Sequence, residues 1–316
     1  MAVVGVGTLG IHHARIYSEM DAVQLVAVAD VRKDRASEAA LRFACKAVET
    51  ADQLPEDVQA VSLAVPTHLH AEIGVALLEK GIHVLVEKPI ASTLKGADDL
   101  IAASRESGSL LQVGHIERFN PAFQAVRGLI RSPQFFESHR LGVFVRRSLD
   151  VDVVLDLMIH DLDLILYLTG QPVQEVRAVG IPVLTPRVDI ASARIEFKNG
   201  CVANVTASRV SKEKIRKLRL FQPHDYISVD FHGRSAEVYS LVHDERGRRV
   251  EDRSPMVLDT EPLRSELDCF IKSVRGLRTE RPCSASEARE ALELALEIVR
   301  QIDQRLASVA ASDSGQ

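Results

Sequence analysis

Five short apolar runs, separated by helical stretches, fill residues 1 to 113. This succession constrains the fold more than any other feature of the chain. The runs are Ala2–Val6, Val23–Asp30, Val58–Val65, Ile82–Glu87 and Leu110–Val113. Helical patterns lie between them at Leu9–Met20, Lys33–Ala44, His68–Lys80 and Leu94–Ser107. Runs so short and so continuously apolar read as strands buried on both faces, which is the mark of a parallel sheet. Right-handed crossovers then give a doubly wound α/β domain, expected over residues 1–118.

Beyond residue 120 the pattern changes. A helix is expected at Val153–Leu168. Ala191, Ala193, Ile195 and Phe197 then alternate with polar residues, Asn199-Gly200 makes a hairpin turn, and Cys201, Ala203, Val205 and Ala207 alternate on the return. Ile215–Phe221, Tyr226–Phe231 and Ala236–Val242 read as further strands of an antiparallel meander. Helices over Leu263–Val274 and 285–307 close the chain, and the small polar tail Ser308–Gln316 is expected to fray. The second domain, 119–316, is therefore an α+β unit with a large, mainly antiparallel open sheet. A length of 316 residues agrees with two domains.

The glycines after the first run carry the first chemical signal. Gly5-Val6-Gly7-Thr8-Leu9-Gly10 matches G-x-G-x-x-G directly after a strand and at the start of a helix, where a dinucleotide pyrophosphate binds. Asp30 ends the second run, twenty residues after Gly10, in place to bind the adenosine ribose hydroxyls. An acid there repels a 2′-phosphate and favours NAD. Arg32 nearby leaves NADP possible.

Pro66-Thr67-x-x-His70 and Glu87-Lys88-Pro89 follow the third and fourth runs, at the sheet edge where ligands bind. A lysine at that edge can hydrogen-bond a substrate hydroxyl. It can help deprotonate that hydroxyl once burial or a neighbouring cation lowers its ordinary pKa of about 10.4. Asp156 and His160 stand four residues apart on an apolar helix, a spacing that puts both on one face. That spacing serves a catalytic pair and a structural hydrogen-bond pair equally well.

In this order, the glycine loop, Asp30, Pro66-Thr67-x-x-His70, Val86-Glu87-Lys88-Pro89 and Asp156-x-x-x-His160 resemble the Gfo/Idh/MocA oxidoreductases. These are two-domain, NAD(P)-dependent sugar and cyclitol dehydrogenases. The resemblance implies a cofactor site formed by Gly5, Gly7, Thr8, Leu9, Gly10, Asp30, Pro66, Thr67, His70, Glu87 and Lys88. It implies catalysis by Lys88, His160 and Asp156. A narrower match, Gly114-His115-Ile116-Glu117-Arg118-Phe119-Asn120-Pro121 with Arg147–Asp152, resembles the subgroup that includes UDP-N-acetylglucosamine 3-dehydrogenases. It implies Arg118, Asn120 and Arg146 as substrate-binding residues, with Arg147 and Arg209 further candidates for a pyrophosphate. The expected reaction is oxidation of a sugar hydroxyl, on a nucleotide sugar such as UDP-N-acetylglucosamine at C3. The alternatives are a dehydrogenase of a free sugar or inositol, and a dinucleotide-binding regulatory protein without turnover.

Composition excludes other classes. The 39 basic and 44 acidic side chains give a net charge of −5, which leaves no broad basic surface for nucleic acid. No apolar run reaches the ~20 residues of a membrane span. The four cysteines form no CxxC pair and the start carries no signal-peptide pattern, so a cytoplasmic protein with reduced thiols is expected. No His/Cys/acid cluster asks for a metal, and none is expected. An open sheet with a small-apolar face needs cover, which points to a homodimer or homotetramer.

Overall fold

The structure, a computed structural model, describes residues 1–144, 151–244, 247–277 and 282–313. The chain divides into two compact units. The first comprises Met1–Ile116 with Glu261–Arg289, and the second Glu117–Thr260 with Glu290–Gln316.

The first unit holds a six-stranded parallel sheet: β1 (Ala2–Val4), β2 (Ala27–Ala29), β3 (Lys46–Val48), β4 (Ala60–Leu63), β5 (His83–Glu87) and β6 (Leu111–Gly114). The strand order is β3-β2-β1-β4-β5-β6, and every pair is parallel. The order reverses between β1 and β4, and a doubly wound sheet opens a crevice at that point, beyond its strand ends. Helices α1 (Gly10–Ser18), α2 (Lys33–Phe43), α3 (His70–Glu79) and α4 (Leu94–Ser107) link the strands. The apolar runs predict five of the six strands. β3 lies at the sheet edge with two of its three residues exposed, so it carries no apolar run to read.

Helix α7 (Pro262–Val274) returns to this unit from far along the chain. Its Leu263, Leu267 and Phe270 pack with Val3, Ile16, Tyr17 and Leu85. Arg15 pairs with Glu261, and Arg264 with Glu19. Nothing in the local pattern of α7 signals that return.

The second unit holds α5 (Pro121–Val126), α6 (Ile159–Thr169) and an eight-stranded sheet. Its strands are β7 (Phe135–Leu141), β8 (Val173–Ile181), β9 (Ile190–Phe197), β10 (Val202–Ser208), β11 (Ile215–Gln222), β12 (Asp225–Asp230), β13 (Ser235–Asp244) and β14 (Gly247–Asp252). The order β14-β13-β12-β11-β7-β10-β9-β8 is antiparallel except at β7–β10. The expected simple meander is therefore corrected: β7, from much earlier in the chain, is inserted between β10 and β11. One sheet face packs Phe136, Ala193, Ile195, Val205 and Leu218 against Met158, Leu162 and Ile165 near and on α6. Helix α8 (Ala285–Asp313) adds Ala295, Ile298 and Ile302 to that core. It runs beyond the expected end at 307, to Asp313.

Candidate functional site

The glycine loop shows its function in what each added Cβ would meet. Gly5 has φ +87°, and a Cβ there would stand 2.5 Å from the Ala64 carbonyl oxygen. At Gly10 a Cβ would lie 1.8 Å from the Gly5 oxygen, so the first turn of α1 closes directly on the loop. Gly7 differs: a Cβ there would meet only Arg35 Nη1, at 3.7 Å. The protein leaves space beside the Gly7 backbone at a helix N-terminus, the kind of cradle a pyrophosphate fills. Thr8 and Leu9 are exposed on the same loop.

Asp30, at the end of β2, uses both carboxylate oxygens on this loop's surroundings. Oδ2 accepts from the Val6 N–H at 3.0 Å and Oδ1 from the Arg32 N–H at 2.9 Å. The carboxylate is braced and partly accessible. The Arg32 guanidinium turns to Asp34, 2.7 Å away on the surface.

At the next strand ends stand Pro66, Thr67, Glu87 and Lys88. Glu87 is largely buried, and its Oε2 accepts from the Lys88 N–H at 3.3 Å. Lys88 is half-buried, and its peptide bond to Pro89 is cis. His70, expected at the cofactor, has protein partners at both ring nitrogens. Its Nδ1 lies 2.9 Å from the Pro89 oxygen and its Nε2 2.9 Å from the Val65 oxygen. Burial lowers its pKa, outweighing the pull of these carbonyls. His70 therefore ties the loop after β4 to the loop after β5.

In the second unit, Asp156 sits in a π-turn, Val154–Met158, and His160 in the first turn of α6. Both are half-buried. The π-turn is wider than an α-helical turn, so the ideal i,i+4 phasing of these two residues is altered through it. Such turns recur at functional sites.

The expected substrate residues Arg118 and Asn120 are both engaged within the protein. Arg118 is 3% exposed. It grips Asp163 bidentately at 2.8 and 2.7 Å, with its guanidinium 4.6 Å above the Tyr167 ring. Asn120 caps α5, accepting from the Ala122 N–H at 3.1 Å, and donates to Glu117 and the Phe231 carbonyl. Arg140, which sequence reasoning missed, binds Asp161 and Glu117 at 2.7 and 2.8 Å. Buried arginines need carboxylate partners, and these come from α6 and from the 3₁₀ turn Ile116–Phe119. The alternation of Phe136, Ser138 and Arg140 on β7 was the available signal for Arg140. Arg209 donates to the Val151 carbonyl at 2.6 Å. Arg146 and Arg147 lie outside the described residues.

Known proteins resemble this chain over nearly its whole length. The family described as "Oxidoreductase family, NAD-binding Rossmann fold" matches residues 1–115, and the GFO/IDH/MocA C-terminal domain matches residues 124–222. A UDP-N-acetylglucosamine 3-dehydrogenase from Acidithiobacillus ferrooxidans is 38% identical over 94% of this chain and 95% of its own. A solved structure of that enzyme superposes with a TM-score of 0.88 and 37% identity, covering 96% of this chain and 97% of the other. A myo-inositol 2-dehydrogenase from Thermotoga maritima is 27% identical over 87% of this chain and 88% of its own.

Proposed function

This chain belongs to the Gfo/Idh/MocA oxidoreductase family, and on that premise we propose that it oxidises a secondary hydroxyl of a nucleotide sugar, UDP-N-acetylglucosamine at C3. The observation that carries this reading is the 38% identity, spread over 94% of the chain, to an enzyme of that name. Bound nicotinamide supplies the hydride acceptor. The protein supplies the rest. Gly5, Gly7 and Gly10 shape the loop for the pyrophosphate, with Thr8 and Leu9 offered on it. Asp30 receives the adenosine ribose, and its fixed negative charge favours NAD over NADP. Pro66, Thr67 and Glu87 line the cofactor edge. Lys88 takes the hydroxyl proton together with His160, and Asp156 orients the imidazole.

A screen of cofactor reduction tests this, run over UDP-sugars, free sugars and inositols with NAD and NADP in parallel. The reading predicts NAD reduction that depends on UDP-N-acetylglucosamine. Turnover of inositols alone would move the assignment to the cyclitol dehydrogenases. NAD binding with no reduction of it by any compound would favour a dinucleotide-binding regulator.

The assembly is proposed to be a homodimer or homotetramer working in the cytoplasm. On the sheet face opposite the core, Phe135, Phe221, Tyr226 and Tyr239 form a row across four neighbouring strands, with ring centroids 5.9, 5.3 and 6.1 Å apart. Val179 and Ile181 are exposed on the same face. Apolar surface of this kind calls for a partner. Light scattering that finds only a 34.8 kDa particle would contradict an oligomer.

A further inference from the structure

Helix α1 turns a histidine inward, where an unsatisfied imidazole is costly. His13 is fully buried. Its Nδ1 lies 3.0 Å from Ser62 Oγ on β4, and its Nε2 lies 3.2 Å from Glu87 Oε1 at the end of β5. At Nε2 the contact is a close approach and not a formed hydrogen bond, as is common in sites that tighten only with ligand bound. Tyr17, one turn further on the same helix face, places its hydroxyl 3.1 Å from Ser62 Oγ. Ser62 pairs with Leu85 in the sheet, so Glu87 follows two residues later on the same face.

From these contacts we infer that His13 is a positioning residue, which directs an Nε2–H at Glu87 and so fixes the carboxylate that precedes Lys88. The direction follows from the carboxylate that faces Nε2. Burial raises the Tyr17 pKa, with the Glu266 and Glu87 charges adding to it, so the phenol stays protonated. The Tyr17–Ser62 contact can run either way; with the phenol donating to Ser62, the single serine proton goes to His13 Nδ1. A neutral ring that accepts at Nδ1 carries its proton on Nε2. The opposite chain would set an imidazole lone pair against a carboxylate oxygen. The Glu87 carboxylate lies close against Gly114, where an added Cβ would stand 3.0 Å from Oε1. The inference rests on the reading that the β5 edge receives the cofactor.

The test uses the full chain and needs no turnover. Long-range proton–nitrogen NMR of the imidazoles, with His13 assigned by its loss in His13→Gln, should show Nε2 protonated and Nδ1 bare. The chain has no tryptophan, so NADH fluorescence reports binding without indole transfer. His13→Gln and Glu87→Gln should each weaken NADH binding about tenfold, the scale of one charge-assisted hydrogen bond. The double variant should be no weaker than Glu87→Gln alone. Ser62→Ala, a milder change to the fold, should disturb the His13 nitrogen signals and weaken NADH binding by a smaller factor. A proton on Nδ1, or strictly additive losses, would overturn the inference. The expected tautomer with NADH binding indifferent to Glu87→Gln would instead overturn the reading of the edge.

Discussion

At the carboxyl edge of the first sheet, Asp30 and Glu87 stand on strand ends with their carboxylates braced by main-chain N–H groups. In the second unit, Arg118 and Arg140 are buried against Asp163, Asp161 and Glu117. Both regions are rich in charge, but they use it differently. The first holds charge ready beside an open backbone. The second neutralises charge internally, and its partners organise α6, the helix that bears His160. A polar residue in an apolar segment therefore does not by itself mark a ligand site.

The sharpest way to break this contrast is Arg140→Ala. It would strand two buried carboxylates and should cost about 3–5 kcal/mol of stability in urea unfolding. A loss near zero would show that Arg140 is not a structural ion. Gly7→Ala should do the reverse. Its Cβ meets no crowding, so the unfolding midpoint should hold, while NADH binding falls about tenfold or more. Equal binding would place the pyrophosphate elsewhere.

Acid should then separate the two units. His70 has a folded pKa below its ordinary 6.5, so the unfolded chain binds the proton first. The stability His70 gives is complete above pH 6.5 and is lost as pH falls toward the folded value. In the second unit, burial raises the pKa of Asp189, but the Thr185 hydroxyl and the N–H groups of Val183, Leu184 and Thr185 together hold it below 3.8. That contribution is complete above 3.8 and is lost only below it. Hydrogen exchange between pH 7 and 5 should loosen the loops around His70 before the turn at 183–185. Simultaneous loosening would refute the separation. Arg32→Ala should have the smallest effect, leaving melting temperature and NADH affinity unchanged, since its guanidinium is exposed and pairs with the surface carboxylate of Asp34. A weaker NADH complex would give Arg32 a direct cofactor contact.

The first unit was legible because its constraints are local. A strand, a glycine loop and a helix follow one another within a few residues, and each leaves its mark at its own position. The edge strand β3, the insertion of β7 and the return of α7 were not legible, because each is settled by a partner far away in sequence. The partners of Arg118 and Asn120 were hidden for the same reason. Their motif is local, but Asp163 and the Phe231 carbonyl, which bind their polar groups, come from elsewhere in the chain. His70 was placed at the correct edge, yet its part there depends on Val65 and Pro89 together.

The central claim, that the first sheet's edge binds the cofactor while Lys88 handles the substrate proton, meets its most direct test in Lys88→Ala. NADH affinity and turnover with UDP-N-acetylglucosamine should be measured on the same preparation. The account predicts affinity unchanged within error and kcat reduced at least about a hundredfold. Full activity in the variant would contradict it.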